Sequence, residues 1–277
     1  MAELNTPHLQ VENLHLHFGG IEALREISLT VGKGELLAII GPNGAGKTSL
    51  LNCINGVYRP QEGKILFEGN EITHQKPDRI AWLGIGRTFQ NVELFRNMTV
   101  LDNLLLGRHI RFRGGILRGG FLGYRNREEM AHRRKVEEII DFLEMEQWRK
   151  SLVRNLPHGV QKRVELGRAL AQEPRLLLVD EPTSGMNQEE TEDIARFILD
   201  IHEEVGTTIV LIEHDMGVVM DISGRVCVLN FGKKIADGSP REVQRNPEVV
   251  TAYLGEETER IKGNNISDTP YFGPQKE

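Results

Sequence analysis

Glu35-Leu36-Leu37-Ala38-Ile39-Ile40 runs directly into Gly41-Pro42-Asn43-Gly44-Ala45-Gly46-Lys47-Thr48, and the junction of these two stretches decides the fold. The first is apolar at nearly every position, which is how a strand buried on both faces of a parallel sheet reads. The second fits G-x-x-x-x-G-K-[ST] and is followed by Ser49-Leu50-Leu51-Asn52-Cys53-Ile54, a helix-compatible run. In that strand, loop, helix setting the glycines let backbone N–H groups turn inward around phosphate oxygens, and the helix N-terminus adds its partial positive charge. Lys47 is then placed to neutralise β/γ oxygens and the Thr48 hydroxyl to ligate Mg2+. A nucleoside triphosphate is the expected ligand.

Further along, Arg175-Leu176-Leu177-Leu178-Val179-Asp180-Glu181 puts two acids at the end of a second buried strand. Asp180 is suited to hold Mg2+ through water and Glu181 to orient and deprotonate an attacking water. Thr208–Ile212 reads as a third such strand and Arg225–Leu229 as a fourth. Before them, the alternation of Leu9, Val11, Leu14 and Leu16, and that of Ile27-Ser28-Leu29-Thr30-Val31, predicts strands with one wet face. Helical spacing appears from Met130 (Val136, Ile139, Ile140, Leu143), again at Val160, Val164 and Leu170, and from Gln188 to Val205 (Ile194, Phe197, Ile198, Ile201, Val205). These elements predict an α/β P-loop domain with an antiparallel β portion and an inserted α-helical subdomain at about residues 92–165.

The chain has 277 residues, 39% hydrophobic and 27% charged, enough for a full core without disulfide staples. Its longest apolar runs fall far short of the roughly 18–20 residues that a membrane helix needs. The start Met1-Ala2-Glu3-Leu4-Asn5 lacks the pattern of a secretion signal, and Cys53 and Cys227 are too few for a disulfide framework, so a reducing cytosol is expected. A net charge of −6 argues against generic nucleic-acid binding. The charge is uneven: residues 108–135 hold nine Lys/Arg and two acids, a local +7 that leaves −13 elsewhere. That basic segment reads as a solvated excursion of the helical insertion; the other reading is a contact surface for anionic headgroups or the cytoplasmic loops of a membrane partner.

With these residues in place, the sequence resembles the ATP-binding subunits of ABC transporters over about residues 8–255, and the polar tail 256–277 lies beyond the resemblance. The resemblance implies a RecA-like core and several further roles. Gln90, in Gly86-Arg87-Thr88-Phe89-Gln90-Asn91, resembles the glutamine loop that touches the metal and the water. Leu156-Pro157-His158-Gly159-Val160-Gln161 takes the signature position, Ser184-Gly185-Met186-Asn187 the dimer-communicating loop, and His214 that of the switch histidine. Phe18 matches the aromatic that stacks on adenine. The resemblance thus implies catalytic roles for Glu181, His214 and Gln90. It implies nucleotide binding by Phe18, Gly41, Pro42, Asn43, Gly44, Ala45, Gly46, Lys47, Thr48 and Ser49, and metal binding by Thr48, Gln90 and Asp180.

Finer features are similar to the ATPases of bacterial branched-chain amino-acid importers: Phe18-Gly19-Gly20, Glu213-His214-Asp215-Met216 and the ending Asn246-Pro247-Glu248-Val249-Val250-Thr251-Ala252-Tyr253-Leu254-Gly255. The resemblance implies ATP and Mg2+ as cofactors, a second ABC ATPase subunit in a homo- or heterodimer, integral membrane permeases, a solute-binding protein and a peripheral place on the cytoplasmic face of the inner membrane. The competing assignments are an ATPase of lipopolysaccharide export, a non-transport ABC ATPase and a P-loop kinase. One departure stands out. The usual signature begins Leu-Ser-Gly-Gly-Gln and contacts the γ-phosphate bound by the opposite protomer, but here Pro157, His158 and Val160 replace the Ser, the first Gly and the Gln, and only Gly159 persists. Pro suits the first turn of a helix, yet one hydroxyl donor is gone, and His158 is the side chain able to restore a donor.

Overall fold

Strands that are apolar throughout have to be covered on both faces, and the computed structural model does this with two layers of chain. It describes residues 6–88, 94–111 and 122–253, the side chains of 122–128 excepted. The three buried runs are β3 (Leu36–Ile40), β7 (Leu176–Asp180) and β8 (Thr208–Ile212), each buried at every position. With β6 (Ile85–Arg87), β9 (Arg225–Asn230) and β10 (Lys233–Gly238) they form a sheet in the order β10-β9-β3-β8-β7-β6, parallel except where β10 returns against β9.

Alternation within the strands sorts side chains to the two faces. Leu37, Ile39, Leu176, Leu178, Val210 and Ile212 pack into one core, and Leu177, Val179, Ile209 and Leu211 into another. The first core is closed by α1 (Lys47–Ile54), by α2 (Pro77–Trp82) through Ile80, and by an antiparallel sheet, order β2-β1-β4-β5, of β1 (Leu9–Phe18), β2 (Ile21–Val31), β4 (Glu62–Phe67) and β5 (Asn70–Glu71). The second is closed by α3 (Val100–Gly107), α4 (Leu122–Phe142), α5 (His158–Leu170) and α6 (Gln188–Glu203). Each fully covered Leu or Ile contributes about 1.5–3 kcal/mol, so these two cores outweigh any surface interaction in fixing the fold.

Element ends follow local chemistry. Asn187 caps α6 through a reciprocal pair, its side chain accepting from the Glu190 N–H at 3.0 Å while Glu190 accepts from the Asn187 N–H at 3.2 Å. Against expectation, Val205 lies past the end of α6 and is 60% exposed, because the helix stops at Glu203 and the chain turns through Gly206 at φ 72°. β2 also begins earlier than expected, at Ile21, where its pairing with Phe18 of β1 closes the hairpin.

The basic segment is only partly a solvated excursion. The Arg108 side chain is 8% exposed and donates to the Ala171 carbonyl at 3.0 Å and to His132 Nδ1 at 3.2 Å, with Glu173 Oε1 also at 3.0 Å. Arg111 donates to the carbonyls of Gln172 and Glu173 at 2.8 and 3.0 Å. Both guanidinium groups therefore clamp the turn that follows α5, where carbonyls lack helical partners. Arg133 and Arg134 are exposed, and Arg113 and Arg118 fall outside the described residues. Cys53 and Cys227 are free and buried, and burial pushes both thiols up to about 12. Arg108→Met should cost about 1–3 kcal/mol of stability by stranding its buried partners, whereas Arg133→Ala should stay within about 0.5 kcal/mol. Denaturant unfolding of the two variants measures this, and equal small effects would show that the clamp contributes nothing.

Candidate functional site

The phosphate loop lies between β3 and α1, and two of its glycines are required by contact as well as by conformation. Gly41 has φ 147°, and a Cβ there would stand 2.0 Å from the Leu229 carbonyl oxygen of β9. Gly46, the N-cap of α1, has φ 102°, and its Cβ would stand 2.6 Å from the Ala23 carbonyl oxygen. The loop is pressed against β9 on one side and β2 on the other. It is also tied by hydrogen bonds, Ala45 N–H to the Pro42 carbonyl at 3.1 Å and Gly232 N–H to the Ala45 carbonyl at 3.1 Å. The Lys47 ammonium, 7% exposed at residue level, donates to the carbonyls of Gly41 (2.6 Å) and Pro42 (3.0 Å), which holds a cation over the mouth of the loop. Helix α1 starts at Lys47, two residues before the run expected from sequence, and carries no side-chain cap, so its first N–H groups are directed into the same loop.

Asp180 and Glu181 stand at the carboxyl end of β7, the edge at which open α/β sheets place their ligands. Asp180 is 1% exposed. Its Oδ2 accepts from Arg87 Nη2 at 3.0 Å, and its Oδ1 is buried with no hydrogen-bond partner. Burial pushes its carboxyl above the usual carboxylate range, and the Arg87 charge pulls it only partly back. A buried oxygen of a carboxylate left without a donor is costly, and a hard cation or its water satisfies it, so this donor set fits Mg2+. Thr48, half-buried in the first turn of α1, is the matching hydroxyl. Glu181 has φ 46°, an uncommon left-handed conformation for a non-glycine residue. Its N–H donates to the Ile212 carbonyl at 2.9 Å, which fixes the turn by which the chain leaves the sheet. Such strain concentrates at functional sites.

His214 follows β8 with its side chain 59% exposed and its Nδ1 3.4 Å from Glu213 Oε1. Glu213, quoted above only as part of a motif, has a structural role of its own that the motif does not announce. It is fully buried, accepts from the His214 and Asp215 N–H groups at 2.7 and 3.1 Å, and takes the Thr183 hydroxyl at 2.8 Å. One carboxylate thus couples the His214 loop to the loop after Glu181. An acid placed directly after four buried apolar residues, Ile209–Ile212, is the available signal. Arg87 and Asn52 were likewise passed over, although Arg87 Nη1 reaches Asn52 Oδ1 of α1 at 2.6 Å. Phe18, 46% exposed at the end of β1, meets Tyr58 edge-on with ring centroids 5.0 Å apart. Gln90 lies outside the described residues.

Pro157 is the N-cap of α5 and supplies no side-chain hydrogen bond, so the first turn at His158, Gly159 and Val160 has no side-chain cap. His158 Nε2 is 3.3 Å from the Ser184 carbonyl. A Cβ on Gly159 would stand 2.6 Å from Glu190 Oε1 of α6, so with the His158–Ser184 contact the start of α5 is packed against α6 and the loop before it within one chain. Gly41→Ala should weaken ATP binding at least tenfold and cost about 1–3 kcal/mol of stability. Equilibrium binding and denaturant unfolding test this, and wild-type affinity would mean that the loop tolerates displacement by β9.

Comparison with known proteins gives consistent matches. The family model described as ABC transporter matches residues 24–184, and one described as branched-chain amino acid ATP-binding cassette transporter matches residues 233–259. A high-affinity branched-chain amino acid transport ATP-binding protein, BraF of Pseudomonas aeruginosa, is 38% identical over 260 residues, covering 91% of this chain and 100% of that protein. The crystal structure of a nucleotide-free ATP-binding cassette from an ABC transporter superposes with a TM-score of 0.78 at 33% identity, covering 90% of this chain and 99% of that one. A dimeric cassette in a post-hydrolysis state bound to ADP and Pi gives 0.71 at 28% identity, covering 84% and 99%.

Proposed function

The chain belongs to the ABC transporter family, whose cassettes hydrolyse ATP to drive transport, and we propose that it energises uptake of branched-chain amino acids, or of a closely related small solute, through separate membrane permeases. The observation that carries the solute class is the match of residues 233–259 to the branched-chain cassette model, together with full-length coverage of BraF. No helix among the described residues is long and apolar enough to cross a membrane, so translocation falls to partner subunits. In this reading residues 8–255 form the cassette, with a helical subdomain at about 92–165. It sits on the cytoplasmic face of the inner membrane and works with a solute-binding protein.

The chemistry is in-line attack of water on the γ-phosphate. Backbone N–H groups of residues 41–48 and the Lys47 ammonium bind the phosphate chain, Ser49 extends the first turn of α1, and Phe18 stacks on adenine. Glu181, held at a fixed angle by its bond to Ile212, orients the water and takes its proton. His214, braced by Glu213, contacts the γ-phosphate, and Gln90 links the water to the helical subdomain. Thr48, Asp180 and Gln90 would hold Mg2+, which when bound neutralises charge on the phosphate oxygens.

The site is completed by a second cassette, whose signature turn covers the γ-phosphate. The uncapped α5 N-terminus supports this, as does the likeness to a dimeric cassette bound to ADP and Pi. Whether the partner is a copy or a related chain decides whether both sites carry Pro157. With His158 placed against Ser184, the turn offers the phosphate backbone N–H groups and no hydroxyl.

Glu181→Gln should leave ATP binding intact while hydrolysis by the assembled transporter falls at least a hundredfold; undiminished turnover would remove Glu181 from this role. Inactivating the chain in its own cell should abolish uptake of labelled leucine, isoleucine or valine, and retained uptake with loss of urea or amide import would reassign the solute. Pro157→Ser should raise ATPase activity of the assembled complex about tenfold, the value of one charged hydrogen bond. No change, with assembly intact, would mean that His158 or a backbone N–H already supplies the contact.

A further inference from the structure

The Arg87 guanidinium occupies a position that the proposed chemistry does not use. Arg87 ends β6, the three-residue edge strand, and its side chain is 6% exposed against 1% for Asp180. Its two terminal nitrogens are divided between two elements: Nη2 to Asp180 Oδ2 at 3.0 Å and Nη1 to Asn52 Oδ1 at 2.6 Å. The next residue, Thr88, holds the same aspartate from behind. Its Oγ1 accepts from the Asp180 N–H at 3.3 Å, and its own N–H donates to the Leu178 carbonyl at 2.9 Å. The end of β6 thus grips both the backbone and the carboxylate of Asp180, and through Asn52 it grips the helix that begins at Lys47.

Burying a guanidinium and a carboxylate together is no dependable source of stability, because desolvation offsets most of the attraction. What this pair does provide is direction. With Oδ2 committed to Arg87, the carboxylate is restrained by one oxygen, and Oδ1 is left as the buried oxygen without a partner. Outer partners that orient a metal-binding carboxylate typically change metal affinity by about 10- to 100-fold when removed.

We propose that Arg87 is a positioning residue for Mg2+: it holds the Asp180 carboxylate turned for the metal before the metal arrives, and through Asn52 it sets the distance between that carboxylate and the phosphate loop. The inference rests on the reading of Asp180 as the metal-facing carboxylate. Its consequence is specific, since loss of Arg87 should damage metal-dependent nucleotide binding and spare metal-independent binding.

The test uses the full-length chain and a fluorescent ATP analogue, measuring affinity without divalent metal and then the Mg2+ concentration for half-maximal tightening. Arg87→Gln should leave the metal-free affinity within about twofold and raise the Mg2+ midpoint about tenfold. Arg87→Lys, which keeps the charge but can reach only one of the two partners, should fall between. Asn52→Ala, which removes one anchor and leaves the charge pair, should raise the midpoint about threefold and serves if Arg87→Gln fails to fold. An unchanged or lowered midpoint in Arg87→Gln, or a parallel loss of metal-free affinity, would overturn the proposal. Asp180→Asn separates this from the underlying reading: if it retains a wild-type Mg2+ response, Asp180 is not the metal-facing group, whatever Arg87 does.

Discussion

The carbonyl oxygen of Leu229 lies where any side chain at position 41 would have to begin, and much of the molecule is organised around that contact. It confines position 41 to glycine at the point where the chain leaves β3 and enters the phosphate loop at the carboxyl edge of the sheet. The pressure is mutual, because β9 can approach so closely only while position 41 is a glycine. The same edge receives Asp180, Glu181 and His214 from β7 and β8, so residues far apart in sequence meet beside one loop. The geometry of the site is therefore a property of the sheet order and of the flanking cores more than of the loop sequence alone.

Much of this was legible in the sequence, for reasons that differ by element. β3, β7 and β8 could be read because a strand covered on both faces is apolar at nearly every position. The phosphate loop could be read because its requirements are local: glycines for inward N–H groups, then a lysine and a hydroxyl. The cap of α6 is equally local in its chemistry but was not read: Asn187, which the family pattern draws toward the dimer loop, caps that helix.

What could not be read is charge whose partner comes from elsewhere in the chain. Arg108 looks like one of nine solvated basic residues until the carbonyls after α5 close over it. Glu213 and Arg87 look like the polar ends of strands until Thr183 and Asp180 are brought to them. Short strands such as β5 and β6 leave little periodicity, and their existence depends on neighbours that they pair with. The roles expected of Phe18, Gln90 and His214 rest on the family resemblance alone, and the neighbours of two of them, Tyr58 beside Phe18 and Glu213 beside His214, emerged only from the three-dimensional arrangement.

The two thiols lead to a practical end. Cys53 lies in the core that α1 closes and Cys227 within the sheet at β9, both buried, and burial pushes both thiols upward, away from the nucleophilic thiolate. A maleimide or spin label offered to the folded wild-type chain has no competent nucleophile among its cysteines. Probes can thus be introduced at exposed positions such as His158 and His214 without first stripping the native sulfur.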